Sequence, residues 1–158
     1  MKDVTSNAGT RTSKVIKAAP GALYRAFMDP AALALWLPPG EMTGKIHSFD
    51  ARVGGEYRMS LFYPPDEQVF HGKTAELEDT VRARFIELVP EKRIVEAITF
   101  VSDDPALSGE MTFEATFEAV DGGTEVTIVC ANIPPGIRPE DNDAGARLSL
   151  EQLARYIE

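Results

Sequence analysis

Across residues 110–119 the chain alternates without a break. Met111, Phe113, Ala115 and Phe117 fall on one side, and Glu110, Thr112, Glu114, Thr116 and Glu118 on the other. A period of two with one apolar and one polar side predicts a half-buried strand of an antiparallel sheet. Asp121, Gly122 and Gly123 predict a hairpin turn. The return strand, 124–131, carries Val126, Ile128 and Cys130 on one face. The same period predicts strands over 42–49 and 56–63, joined by a hairpin connection over 50–55. Tyr57, Met59, Leu61 and Tyr63 share one face of the second of these. Residues 82–89 and 93–101 predict another pair around the turn Pro90, Glu91 and Lys92, and 11–18 predicts the first strand of all. Pro64, Pro65 and Asp66 predict a turn. The stretch 69–77 allows a short strand, but Glu76, Glu78 and Asp79 point to an exposed loop over much of it, and 102–109 is a loop.

Three segments change the period to that of a helix. Pro20 suits a first helical position, where its missing N–H costs nothing, and Leu23, Tyr24, Phe27 and Met28 follow. Asp29 and Pro30 end that helix and open a second, with Asp29 as cap. The second carries Leu33, Trp36 and Leu37 and stops at Pro38, Pro39 and Gly40. The longest runs over 139–158. Ala146, Ser149, Leu150, Leu153 and Ile157 form its apolar stripe, with Arg147, Glu151 and Arg155 opposite. Glu151 stands four residues before Arg155, a favourable helical pair, and the acidic and amide residues 140–143 suit the positive end of the helix dipole.

The predicted order is strand, two short helices, a meander of five or six antiparallel strands, and one long helix. Helices gathered on one side of a curved antiparallel sheet define an α+β domain. Residues 1–10 are expected to be a flexible N-terminus and 11–158 a single domain, with the long helix closing over the concave face.

Bulk properties narrow the class. The 158 residues carry a net charge of −9 and a 44% hydrophobic share. That is enough apolar material for a core, and the negative charge disfavours nucleic acid and anionic membrane as partners. No apolar run approaches a membrane span of about 20 residues. Residues 1–13 lack a signal-peptide core, and the single Cys130 cannot form an internal disulfide. These features predict a soluble cytoplasmic protein.

Several stretches resemble a known family. They are Ala19-Pro20 with Ala26-Phe27, Asp29-Pro30 and Trp36; Gly54-Gly55-Glu56-Tyr57; the run from Phe85 through Pro90 to Val95; Asp121-Gly122-Gly123-Thr124 with Glu125-Val126-Thr127; and Ala144-Gly145 before Leu150 and Leu153. In order and spacing the chain resembles the bacterial proteins similar to the C-terminal domain of the activator of the Hsp90 ATPase. These belong to the START-like (SRPBCC) superfamily. The resemblance implies a helix-grip fold, a sheet of six or seven strands around a long C-terminal helix, with a cavity between them. One departure is Ala146, where the family often has Trp. The superfamily holds lipid carriers, hormone receptors and polyketide cyclases or aromatases, so membership implies a scaffold rather than a reaction.

Candidate chemistry is sparse. His47 and His71 lack the companions a zinc or nucleophilic site needs and read as ordinary strand or loop residues. Cys130, without a basic neighbour, reads as a small hydrophobe. Gly54-Gly55 and Gly122-Gly123 read as hairpin glycines rather than a phosphate loop. The acidic run 76–79 lacks the spacing of a calcium loop and reads as solvated. Glu87 and Glu96 lie in apolar strands. Facing a cavity, either would have a raised pKa and suit a general base; pairing with Arg84 or Arg93, or exposure, is the ordinary alternative. No cofactor or metal is expected.

The candidate ligand-binding set is apolar: Trp36, Leu37, Tyr57, Met59, Leu61, Phe85, Phe100, Met111, Phe113, Ala146, Leu150 and Leu153. Trp36 and Leu37 are expected at the mouth of a pocket beneath the long helix. The plain reading is a close-packed core; the functional one is that part of the set lines a cavity. Binding of a small apolar or amphipathic molecule ranks first among three functions. The second is a protein-interaction module, chaperone-associated as the family name suggests. The third is a cyclase- or aromatase-like enzyme, which requires a buried acid, base or Tyr in the cavity. A homodimer is compatible with all three.

Overall fold

The computed structural model describes residues 9–63, 78–102 and 104–158. In chain order the elements are β1 (Gly9–Ile16), α1 (Pro20–Met28), α2 (Pro30–Trp36), β2 (Thr43–Phe49), β3 (Glu56–Phe62), β4 (Glu78–Val89), β5 (Arg93–Phe100), a short 3-10 turn (Pro105–Leu107), β6 (Met111–Val120), β7 (Gly123–Ala131) and α3 (Pro139–Ile157). The seven strands form one antiparallel sheet in the order β1-β7-β6-β5-β4-β3-β2. Each strand from β2 to β6 pairs with its successor, while β1 crosses to the far edge and pairs with β7. The two short helices span that crossover.

Alternation places the core. Met111, Ala115 and Phe117 of β6 are buried, as are Val126, Ile128 and Cys130 of β7. Register shifts at Ile46/Ser48 and Phe85/Glu87 mark bulges, where a strand bends and its twist increases. At the β6–β7 turn Gly122 has φ +89°, and a Cβ on Gly123 would fall 2.1 Å from the Ile16 carbonyl oxygen. Only glycine suits either position.

The caps follow the sequence closely. The Asp29 carboxylate accepts from Ala31 N at 3.0 Å, and Pro30 opens α2. Phe27 then meets Trp36 at 4.6 Å and Phe117 at 5.3 Å, both edge-on. The Trp36 indole N–H donates to the Ala26 carbonyl at 3.0 Å. This aromatic knot fixes α1 and α2 on one end of the sheet.

A second set of bonds ties α2 to α3. Ser149 Oγ donates to the Leu37 carbonyl at 2.6 Å. Gln152 Nε2 donates to the carbonyls of Trp36 at 2.8 Å and Pro38 at 2.7 Å, and Gln152 Oε1 accepts from Gly40 N at 2.8 Å. These bonds satisfy carbonyls left open at the end of α2.

Four expectations change. β1 is Gly9–Ile16 rather than 11–18, because its ladder with β7 starts at the pair Gly9–Ala131; Gly9 and Thr10 therefore belong to the sheet. β4 starts at Glu78, four residues before the predicted start, since Glu78 to Val81 pair with Phe62 to Met59. Asp79 is consequently buried, not solvated. On α3 the ion pair joins Asp143 and Arg147 rather than Glu151 and Arg155. The turn at 64–66, the stretch 69–77, His71 and residues 1–8 lie outside the described residues.

The α2–α3 tether gives the first test. Replacing Ser149 by Ala leaves the Leu37 carbonyl without its donor, which should cost about 1–3 kcal/mol in urea unfolding. An unchanged midpoint and slope would show that the tether contributes nothing.

Candidate functional site

Sheet and α3 do not close completely on each other. A cavity of about 240 Å³ lies between them. Of the predicted set, Leu37, Tyr57, Met59, Leu61, Phe100, Met111, Phe113 and Ala146 line it. Trp36, Phe85, Leu150 and Leu153 do not; each is at most 1% exposed and packed into the solid core. Trp36 was expected at the mouth. Its N–H bond to Ala26 and its contact with Phe27 hold it inside instead. Phe85 acts from behind: with Phe49 it brackets the Tyr57 ring, at 5.8 and 5.2 Å between centroids. Those two rings set the direction of the Tyr57 hydroxyl.

That hydroxyl donates to Glu96 Oε1 at 3.2 Å. Glu96 is 5% exposed and lines the cavity. The antiparallel register sets it between Phe85 on β4 and Phe113 on β6, in an apolar row where a carboxylate has little to solvate it. Burial pushes its pKa to about 7, and the Tyr57 hydrogen bond opposes only part of that rise. The Tyr57 hydroxyl is itself pushed well above its ordinary value, by burial first and by the neighbouring carboxyl second. It therefore stays a donor throughout the neutral range. Glu87, the other carboxyl considered from the sequence, takes the ordinary course and pairs with Arg93 at 3.4 Å.

Other polar groups surround the same space. Asp79 accepts from the Tyr63 hydroxyl at 2.8 Å and lines the cavity beside Leu61. Asp141, Asn142 and Ser149 reach it from α3. Asn142 is held by Thr10, whose hydroxyl donates to Asn142 Oδ1 at 2.9 Å. Cys130 lies on the wall, and burial raises its thiol to about 11, the reverse of what a reactive thiol needs. His47 Nε2 lies 2.8 Å from Ser60 Oγ, in a strand and away from this cavity. Among the described residues no three His, Cys, Asp or Glu side chains converge as a metal-binding group.

The protein-family model described as "Activator of Hsp90 ATPase homolog 1-like protein" matches residues 17–158. The chain belongs to this family. Among solved structures it is similar to protein CV1439 of Chromobacterium violaceum, with 37% identity over 95% of this chain and 96% of that one and a TM-score of 0.83. It is similar in fold to protein Ms6760 of Mycobacterium smegmatis, at 16% identity, 95% and 90% coverage and a TM-score of 0.74. DynU16, from the dynemicin biosynthetic locus, shares the fold at 19% identity and a TM-score of 0.67; 94% of this chain matches 46% of that one. No curated protein matches the chain. Among the described residues, the three helices and open seven-strand sheet are the helix-grip architecture expected of the family. No helix among the described residues is long and apolar enough to cross a membrane.

Two polar residues were incompletely legible in the sequence. The sequence does not show the partner of Glu96, because Tyr57 is 39 residues away and meets it only across β4. Asp79 was masked by its acidic neighbours.

Glu96 makes stability depend on pH. Its folded pKa lies near 7 and its ordinary value near 4.5. Below the ordinary value both states hold the proton and the group costs nothing. As pH rises toward 7 only the unfolded chain releases it, so stability falls; above 7 the loss is complete, on the order of 3 kcal/mol. Glu96→Gln should therefore gain stability over the parent as pH goes from about 5 to about 8, by up to roughly 3 kcal/mol in urea titrations. A difference that does not change with pH would refute the assignment.

Proposed function

We propose that this family member binds a small, largely apolar molecule in the cavity between sheet and α3, as a carrier or sensor. One observation carries the reading: the space of about 240 Å³ is walled mainly by apolar side chains, with a few polar groups turned inward. That is the usual composition of a small-molecule site. Met59 and Met111 lie on its wall, and methionine adapts its shape to an occupant at low cost. An engineered apolar cavity of about 150 Å³ admits benzene, so this one suits a group of roughly ten heavy atoms.

A second reading is acid–base catalysis, in the manner of a cyclase or aromatase. Glu96 favours it: a carboxyl titrating near 7 beside a hydroxyl donor is suited to moving a proton at neutral pH. The interaction-module reading has no comparable support among the described residues.

Ala146→Trp tests the binding reading. The indole should fill the cavity, leave stability equal or higher, and abolish the rise in unfolding temperature that 1-octanol gives the parent by binding the native state. A close-packed core would instead lose about 1–3 kcal/mol to overpacking. Native mass spectrometry of protein from its own cell should show a retained mass that the variant lacks.

A further inference from the structure

The ionisable side chains that line the cavity among the described residues are acidic. Among the described residues lining it, Asp79, Glu96 and Asp141 are carboxyls, and no Lys, Arg or His joins them. Asp141 is exposed in the first turn of α3, Asp79 is 1% exposed, and Glu96 lies in the middle of the sheet. The first turn of α3 would attract an anion through its free N–H groups, but Glu140 and Asp141 occupy that turn and oppose it. A fatty acid or phosphate ester would bring a further negative charge among these carboxyls, at a low local dielectric.

Glu96 is built to receive a donor. Oε1 is taken by Tyr57, and Oε2 has no hydrogen-bond partner among the described residues. Every fully buried side-chain polar atom among the described residues is hydrogen-bonded, so Oε2 must face open space, and the space beside Glu96 is the cavity. The fold has already removed this carboxyl from water, so a cationic occupant would recover interaction energy without desolvating it again. The rings of Phe27, Tyr57, Phe100 and Phe113 also line the space, and aromatic faces favour cations over anions.

We propose that the cavity selects apolar amines, with the ammonium docked on Glu96 Oε2 and the hydrocarbon body against Met59, Met111 and Phe113. This rests on the cavity-binding reading above and names its ligand class. An alcohol can donate to the same oxygen, but it leaves the carboxylate charge unbalanced.

The test compares n-octylamine, 1-octanol and octanoate by isothermal titration calorimetry, on the parent and on Glu96→Gln. The amine should bind the parent more tightly than the alcohol, and octanoate most weakly. Glu96→Gln should weaken the amine by roughly thirtyfold or more, the expected effect of truncating one partner of a buried charge pair. It should weaken 1-octanol far less than the amine, because the amide oxygen still accepts an uncharged donor, and a cooperative urea transition like the parent's shows that the variant is folded. If 1-octanol binds but the amine binds no better, or the variant keeps the amine, the amine inference is overturned and the cavity reading stands. Octanoate binding best overturns the charge argument. If none of the three binds the parent, both readings fail.

Discussion

The structure depends on a mismatch of widths. Seven strands at about 4.8 Å spacing make a sheet roughly 30 Å across, whereas a helix with its side chains covers only about 10–12 Å. One amphipathic helix cannot bury the apolar face that β3 to β7 present together. The chain answers with α1 and α2, whose Phe27 and Trp36 pack toward Phe117 at one end of the sheet. Ser149 and Gln152 then lock the end of α2 to α3. Between these two coverings the face is lined but not filled, and the cavity is what remains.

Within that gap the chain places groups that stability alone does not favour. Burial makes the ionised form of Glu96 costly to the fold. The Tyr57 hydrogen bond offsets only part of that cost. Buried ionisable groups with raised pKa values cluster at functional sites, and local conflicts with good packing are expected there. The small Ala146 has the same sense: a larger residue would cover more of the sheet, but the site would close. The conflict is local, since Cys130 and the fully buried Leu150 and Leu153 around it behave as ordinary core.

What was readable in the chain followed from local periodicity. The two-residue alternation of 110–119, the Asp29-Pro30 junction and the helical stripe through Leu150 and Leu153 each encode an element and its buried face, because the period of a strand or helix is a property of neighbouring residues. The family was legible on a different basis, as a resemblance carried by short stretches such as Asp29-Pro30 and Gly54-Gly55-Glu56-Tyr57. Eight of the twelve apolar candidates reached the cavity wall for this reason: each sits on the inward face of an element whose direction was already readable.

The tertiary structure alone decided which inward residues meet space and which meet other side chains. Trp36 and Leu37 are adjacent in sequence, yet one is sealed by Phe27 and the Ala26 carbonyl while the other borders the cavity. Glu87 and Glu96 read alike, but the bulge at Phe85/Glu87 and the register of β4 with β5 and β6 send one to Arg93 and the other to Tyr57. Asp79 reads as part of a solvated acidic run, but β4 begins four residues earlier than 82 and pairs Asp79 with Leu61 near the end of β3. Register, crossover and interelement spacing join residues tens of positions apart, and a local pattern holds no record of them. Local pattern encoded most of the elements and the faces they bury, though not where β1 and β4 begin, and short motifs carried the resemblance to the family. Contacts between distant strands determined where the sheet is left uncovered and which carboxyl stands in the gap.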